Sequence, residues 1–209
     1  VFKEMYVYVC VLFFMGACKS GSKYSGESPG MINGSALKKK ELIVAEAFFV
    51  DVQLPASKAV MLVVSDAYGL CDAVTQNSLN LPGNIYTAVL FDTKIPKTEN
   101  PKSGIYSLLW NLSLVELATA SDAYAVEGKL GYARLAEQNP DDIERQSSTK
   151  GAVQIVQDPS YKEGESIAFT LHTVFENPDH SVSGSVSRAR YCPGLRNLFN
   201  DPVPACLAL

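Results

Sequence analysis

The chain has 209 residues, 47% of them hydrophobic and 19% charged, which excludes a disordered tail and suits one well-filled core. Eighteen basic against 22 acidic side chains give a net charge of −4, so no overall basic field exists to hold nucleic acid. Two histidines and five cysteines supply little material for a metal site.

Residues 1–18, VFKEMYVYVCVLFFMGAC, carry Lys3 near their start and an unbroken apolar run from Tyr6 to Met15. As a helix this run measures about 15–20 Å, short of the roughly 30 Å hydrocarbon core of a bilayer. It reads as the apolar part of an export signal rather than as a spanning helix. Met15-Gly16-Ala17-Cys18 then resembles the lipobox of bacterial lipoproteins. The resemblance implies a diacylglyceryl group on the Cys18 thiol, removal of residues 1–17 and acylation of the new amino terminus. Cys10 is a poorer candidate, since it lies inside the run behind bulky Tyr8 and Val9. The plain alternative is an ordinary signal peptide with Cys18 incidental.

Acyl chains on Cys18 make membrane lipid the first expected partner, because each buried methylene contributes ~0.8 kcal/mol. Lys19 rather than Asp follows the cysteine, so the inner-membrane retention signal of enteric lipoproteins is absent. The expected address is the bacterial envelope, at the outer membrane. Residues 18–40 read as the lipidated cysteine and a flexible tether, since 19–36 (KSGSKYSGESPGMINGSA) are rich in Gly and Ser. Such a coil reaches about 25 Å. Lys38, Lys39 and Lys40 could touch anionic head groups, although a solvated linker end is the simpler reading.

Residues 41–209 read as one all-β domain, an antiparallel β-sandwich or barrel with one short helix. Leu42–Leu54 is largely apolar and ends at Pro55; Ala59–Val64 (AVMLVV) has the length of a buried strand. Ser65–Gln76 is the helical exception, with Ser65 or Asp66 as its expected cap. Ile85–Phe91, Ile105–Leu109, Leu112–Ala118 and Tyr124–Leu135 follow as strands. Residues 136–150 read as an exposed loop with at most one helical turn, at Asp141–Arg145. In Ser166–Phe175, the side chains of Ile167, Phe169, Leu171, Thr173 and Phe175 share one face. Asn177-Pro178-Asp179-His180 is the turn to a partner strand, Ser181–Tyr191.

With Cys10 cleaved off and Cys18 lipidated, Cys71, Cys192 and Cys206 remain, and an exported protein keeps its disulfides. Cys71–Cys192 is the favoured pair, tying the helix to the end of the last strand. Cys192–Cys206, closing a short tail loop, is the competitor.

The segments SDAYGLCDAV, Pro101/Gly104/Tyr106 and SGSVSRARYC together resemble a group of uncharacterised secreted lipoproteins common in deltaproteobacterial genomes. The resemblance implies a β fold and supports the Cys71–Cys192 pairing; it implies no activity. Here Val186 replaces the group's aromatic residue, and one extra residue separates Gly184 from Cys192, as a β-bulge would.

Sites of chemistry are sparse. His172 lies on the polar face of its strand, and a base there needs a nucleophile and a carboxylate from elsewhere. It reads as a surface histidine, as does His180 at its turn. Asp141-Asp142-x-Glu144 lacks the glycine and alternation of a calcium loop. No nucleophile elbow, phosphate loop or dinucleotide fingerprint occurs, and no cofactor is implied. The aromatic side chains read as core, not as a sugar platform.

The expectation is a non-catalytic, lipid-anchored envelope protein that binds a protein or glycan partner or serves structurally. A small envelope hydrolase built around His172, and a carrier of an apolar ligand inside a barrel, are the alternatives.

Overall fold

The computed structural model describes residues 28–54, 57–76, 83–109, 128–138 and 143–197. Ten strands run through them: β1 (Gly30–Asn33), β2 (Glu41–Val44), β3 (Glu46–Gln53), β4 (Lys58–Ser65), β5 (Ile85–Asp92), β6 (Gly104–Leu108), β7 (Lys129–Gln138), β8 (Ile143–Ile155), β9 (Ser166–Phe175) and β10 (Ser181–Tyr191). One helix, α1 (Leu70–Thr75), follows β4, and a 3-10 turn, Pro193–Arg196, follows β10.

The sheet closes on itself as a barrel of eight strands, in the order β3-β4-β5-β7-β6-β8-β9-β10 and back to β3. Most pairs are antiparallel. Two are parallel: β10 on β3, through Arg190↔Phe48 and Tyr191↔Phe49, and β6 on β7, through Ser107↔Leu130 and Leu108↔Gly131. β6 is a wedge, because β7 and β8 pair directly at one end (Arg134↔Ser147) and part at the other to admit it. β1 is a second wedge, set between β10 and β2, which runs on through Ala45 into β3.

Two apolar layers explain the strand sequences. The barrel interior takes Phe49, Val60, Leu62, Val64, Tyr86, Leu90, Tyr106, Leu135, Val153, Phe169 and Phe175, among others. A second layer lies on the outside of β3, β4, β5 and β7, where Phe48, Val50, Met61, Val63, Val89 and Tyr132 pack with Leu70 and Val74 of α1 and Leu195 of the 3-10 turn. Strands buried on both faces lose alternation, hence AVMLVV in β4. β9 keeps it, with Ile167, Phe169, Leu171, Thr173 and Phe175 all buried. β10 carries the bulge, its pairing with β9 shifting between Val186 and Ala189.

Three expectations need correction. The folded body already includes residues before 41: Ile32 enters the core, and Ala36 and Leu37 join it from the β1–β2 turn. Four strand residues between Gly- and Ser-rich neighbours are too few to show a period. Within the loop expected at 136–150, residues 136–138 end β7 and 143–150 begin β8, so Ile143–Arg145 is strand rather than helical turn. β8 is polar because its outer side meets water and its inner side includes Ser148, whose hydroxyl accepts from Ala133 N (2.9 Å) and donates to Leu109 O (3.2 Å). The helix starts at Leu70 without a Ser65 or Asp66 cap. Asp66 instead accepts from the Asn84 backbone and side-chain amides, both at 2.7 Å. The strand expected at 112–118, the first residues of that expected at 124–135, and Asp141 and Asp142 lie outside the described residues.

Candidate functional surfaces

Cys71 of α1 and Cys192, at the end of β10, come together with Cα atoms 6.1 Å apart and sulfurs at bonding distance. Cys192 is fully buried in the outer layer. The helix that presents Cys71 has one and a half turns, too short to stand on propensity. It is held by Glu46 at the start of β3, whose Oε2 accepts from the amides of Gly69 and Leu70, both at 2.9 Å. Gly69 adopts a φ of 90°, which a side chain would strain. Cys18, Cys10 and Cys206 lie outside the described residues.

Beside the staple, Asp51, Tyr191 and Arg196 form a compact group. The Tyr191 hydroxyl donates to Asp51 Oδ1 (3.0 Å), and Arg196 donates both to the same carboxylate oxygen and to the phenol oxygen (2.6 Å). Burial first, then the hydrogen bond to Asp51, push the Tyr191 phenol above its ordinary pKa. Every partner is matched, so the group fastens the 3-10 turn to β3 and leaves no reactive atom poised. Sequence reasoning missed it, because Asp51 lies 140 positions from Tyr191 and 145 from Arg196.

His172 points outward, exposed, with Nδ1 2.7 Å from the Ser183 hydroxyl of its cross-strand neighbour. The pair stands on an open sheet face. His180 Nδ1 meets Gln146 Oε1 at 3.0 Å at the barrel rim. Among the described residues no three of His, Cys, Asp or Glu are grouped to hold a metal ion. No helix among them is long and apolar enough to cross a membrane.

The face that carries His172 has a defined composition. The register aligns one outward row, Asn33–Ser183–His172–Ala152–Ser107, and a second, Met31–Ser185–Thr170–Gln154–Ile105, across β1, β10, β9, β8 and β6. Hydroxyl, amide and imidazole groups dominate these rows, and no carboxylate, ammonium or guanidinium occurs in them. Inside the barrel beneath, the polar contact Tyr86 Oη···Thr173 Oγ1 (2.8 Å) is buried among apolar side chains. An apolar interior under a polar outside reverses the pattern of a membrane-spanning barrel on this side.

The opposite rim is tied by Lys129. Its ammonium donates to Ser103 O (2.6 Å), sits 3.9 Å from Asp92 and lies over the Tyr106 ring. Asp158 accepts from both the amide and hydroxyl of Ser103, which holds its carboxyl below the usual range, with Lys102 and Lys129 adding to the effect. Compared with known proteins, the chain matches no family model, no curated protein and no solved structure.

Proposed function

We propose that this is an exported, lipid-anchored envelope protein with a non-catalytic binding role. The paired Cys71 and Cys192 carry the reading, since such a bridge persists in an oxidising compartment and suits a chain with an export signal. The lipobox-like Met15–Cys18 supplies the anchor, and membrane lipid is the partner of the acylated amino terminus. Binding is assigned to the uncharged rows where they cross β10, β9, β8 and β6, whose side chains are fitted to a neutral, hydrogen-bonding protein or glycan.

The hydrolase alternative draws little support. His172 has a hydroxyl beside it, but its cross-strand neighbours Ser183 and Ala152 provide no carboxylate to orient it. A ligand carrier is equally poorly supported, because large side chains (Phe49, Tyr86, Tyr106, Phe169, Phe175) occupy the interior of a barrel whose size suits side-chain filling.

Metabolic labelling with a palmitate analogue tests the anchor: wild type takes the label and Cys18→Ala does not. Equal labelling of both defeats the reading.

A further inference from the structure

The outward side of the β1–β2 hairpin carries two large apolar side chains. Met31 is 45% exposed and Ile43 58%, and the register sets them opposite each other. Their alternate neighbours Ile32, Leu42 and Val44 are buried, so the pleat fixes this outward aim. The turn between the strands ends in Lys38-Lys39-Lys40, all exposed; Glu41 follows on the same outward side as Ile43, and the Glu137 carboxylate accepts from the Lys38 amide (3.2 Å). A cationic run thus stands beside two apolar tips in a chain whose net charge is −4.

The patch is far smaller than the roughly 800 Å² per partner of a stable protein interface. It does suit lipid head groups, where apolar tips enter the interface and lysines meet phosphate. Its position agrees. The Ser28 hydroxyl donates to Val44 O (2.6 Å), and Pro29 O accepts from the Ser187 amide (2.7 Å), so the chain joins the barrel along this hairpin. Nine residues, 19–27, separate Cys18 from Ser28, so the ten steps between them span no more than about 36 Å even when fully extended.

We propose that the outward face of the β1–β2 hairpin, with Met31, Ile43, Lys39 and Lys40, rests on an anionic bilayer surface. The proposal builds on the lipid-anchor reading and adds a second, electrostatic hold that sets the barrel's orientation.

A photo-crosslinking amino acid at Ile43 tests it, against the same probe at Ile105, which is 61% exposed on β6. Each full chain is matured in cells and reconstituted in phosphatidylcholine vesicles with or without phosphatidylglycerol. Lipid adducts are expected to be several-fold more abundant at position 43 than at 105. Lys39→Glu with Lys40→Glu, or omission of phosphatidylglycerol, should lower the position-43 yield several-fold. Equal yields at the two positions, or indifference to both charge changes, overturn the proposal. The mass of the amino-terminal peptide from the same sample reads the anchor separately. An unmodified Cys18 defeats the anchor reading, whereas a lipidated Cys18 with equal adducts defeats this proposal alone.

Discussion

The carboxylate of Glu46, on β3, accepts the amide hydrogen of Leu70 at the start of α1, and so caps the helix that carries Cys71. The same oxygen takes the Gly69 amide, and Arg190 lies 3.4 Å from the other. Glu46→Ala leaves two amide donors without their acceptor and is expected to cost about 2–3 kcal/mol in urea unfolding. Glu46→Gln keeps an acceptor oxygen and should lose less. Equal losses would mean that packing, not the cap, holds the helix.

The staple itself closes a separation of 121 residues. By the chain-entropy model its removal is worth up to about 4–5 kcal/mol. Cys71→Ala and Cys192→Ala should therefore each lower the denaturant midpoint strongly, and adding reductant should shift wild type but neither variant. A reductant effect that persists in Cys192→Ala would point to a different bridge.

Two tyrosines make the same substitution act in opposite directions. Among the described residues the buried Tyr132 hydroxyl has no hydrogen-bond partner, so Tyr132→Phe is expected to stabilise the fold by about 1 kcal/mol. Tyr86 shares its hydroxyl with the fully buried Thr173, and Tyr86→Phe strands the threonine at a cost of about 1–3 kcal/mol. Chemical unfolding of the two variants measures the contrast.

Burial pushes the phenols of Tyr86 and Tyr132 well above their ordinary value of about 10. Below that pH both folded and unfolded chains keep these protons, and the contribution to stability is complete. As pH rises past it, only the unfolded chain ionises, so stability falls by about 1.4 kcal/mol per pH unit for each group. Spectrophotometric titration should show these tyrosines ionising only as the fold is lost. Reversible ionisation near pH 10 in the folded state would contradict the buried placement.

Legibility in the sequence followed burial. β4 and β9 could be read because AVMLVV and the alternating Ile167–Phe175 run state how many faces each strand buries. The bulge in β10 is legible only against the resembled group's final strand, as one extra residue before Cys192, and Cys71–Cys192 is the favoured of two competing pairings. β1 and β8 could not. β1 is four residues long, and β8 replaces much of its inner apolar side with Ser148 and side-chain hydrogen bonds. The true cap of α1 was also hidden, since Glu46 acts across 24 positions whereas a local cap is sought one or two residues away. The uncharged outward face emerges only from register, because its residues come from five strands.

The account depends most on export coupled to lipid attachment. Intact-mass analysis of the protein purified from bacterial membranes measures both ends of that claim at once. The account predicts a chain beginning at acylated Cys18 and lighter by two hydrogens for the Cys71–Cys192 bridge. A chain that retains residues 1–17, carries no acyl group and has Cys71 and Cys192 as free thiols would contradict it.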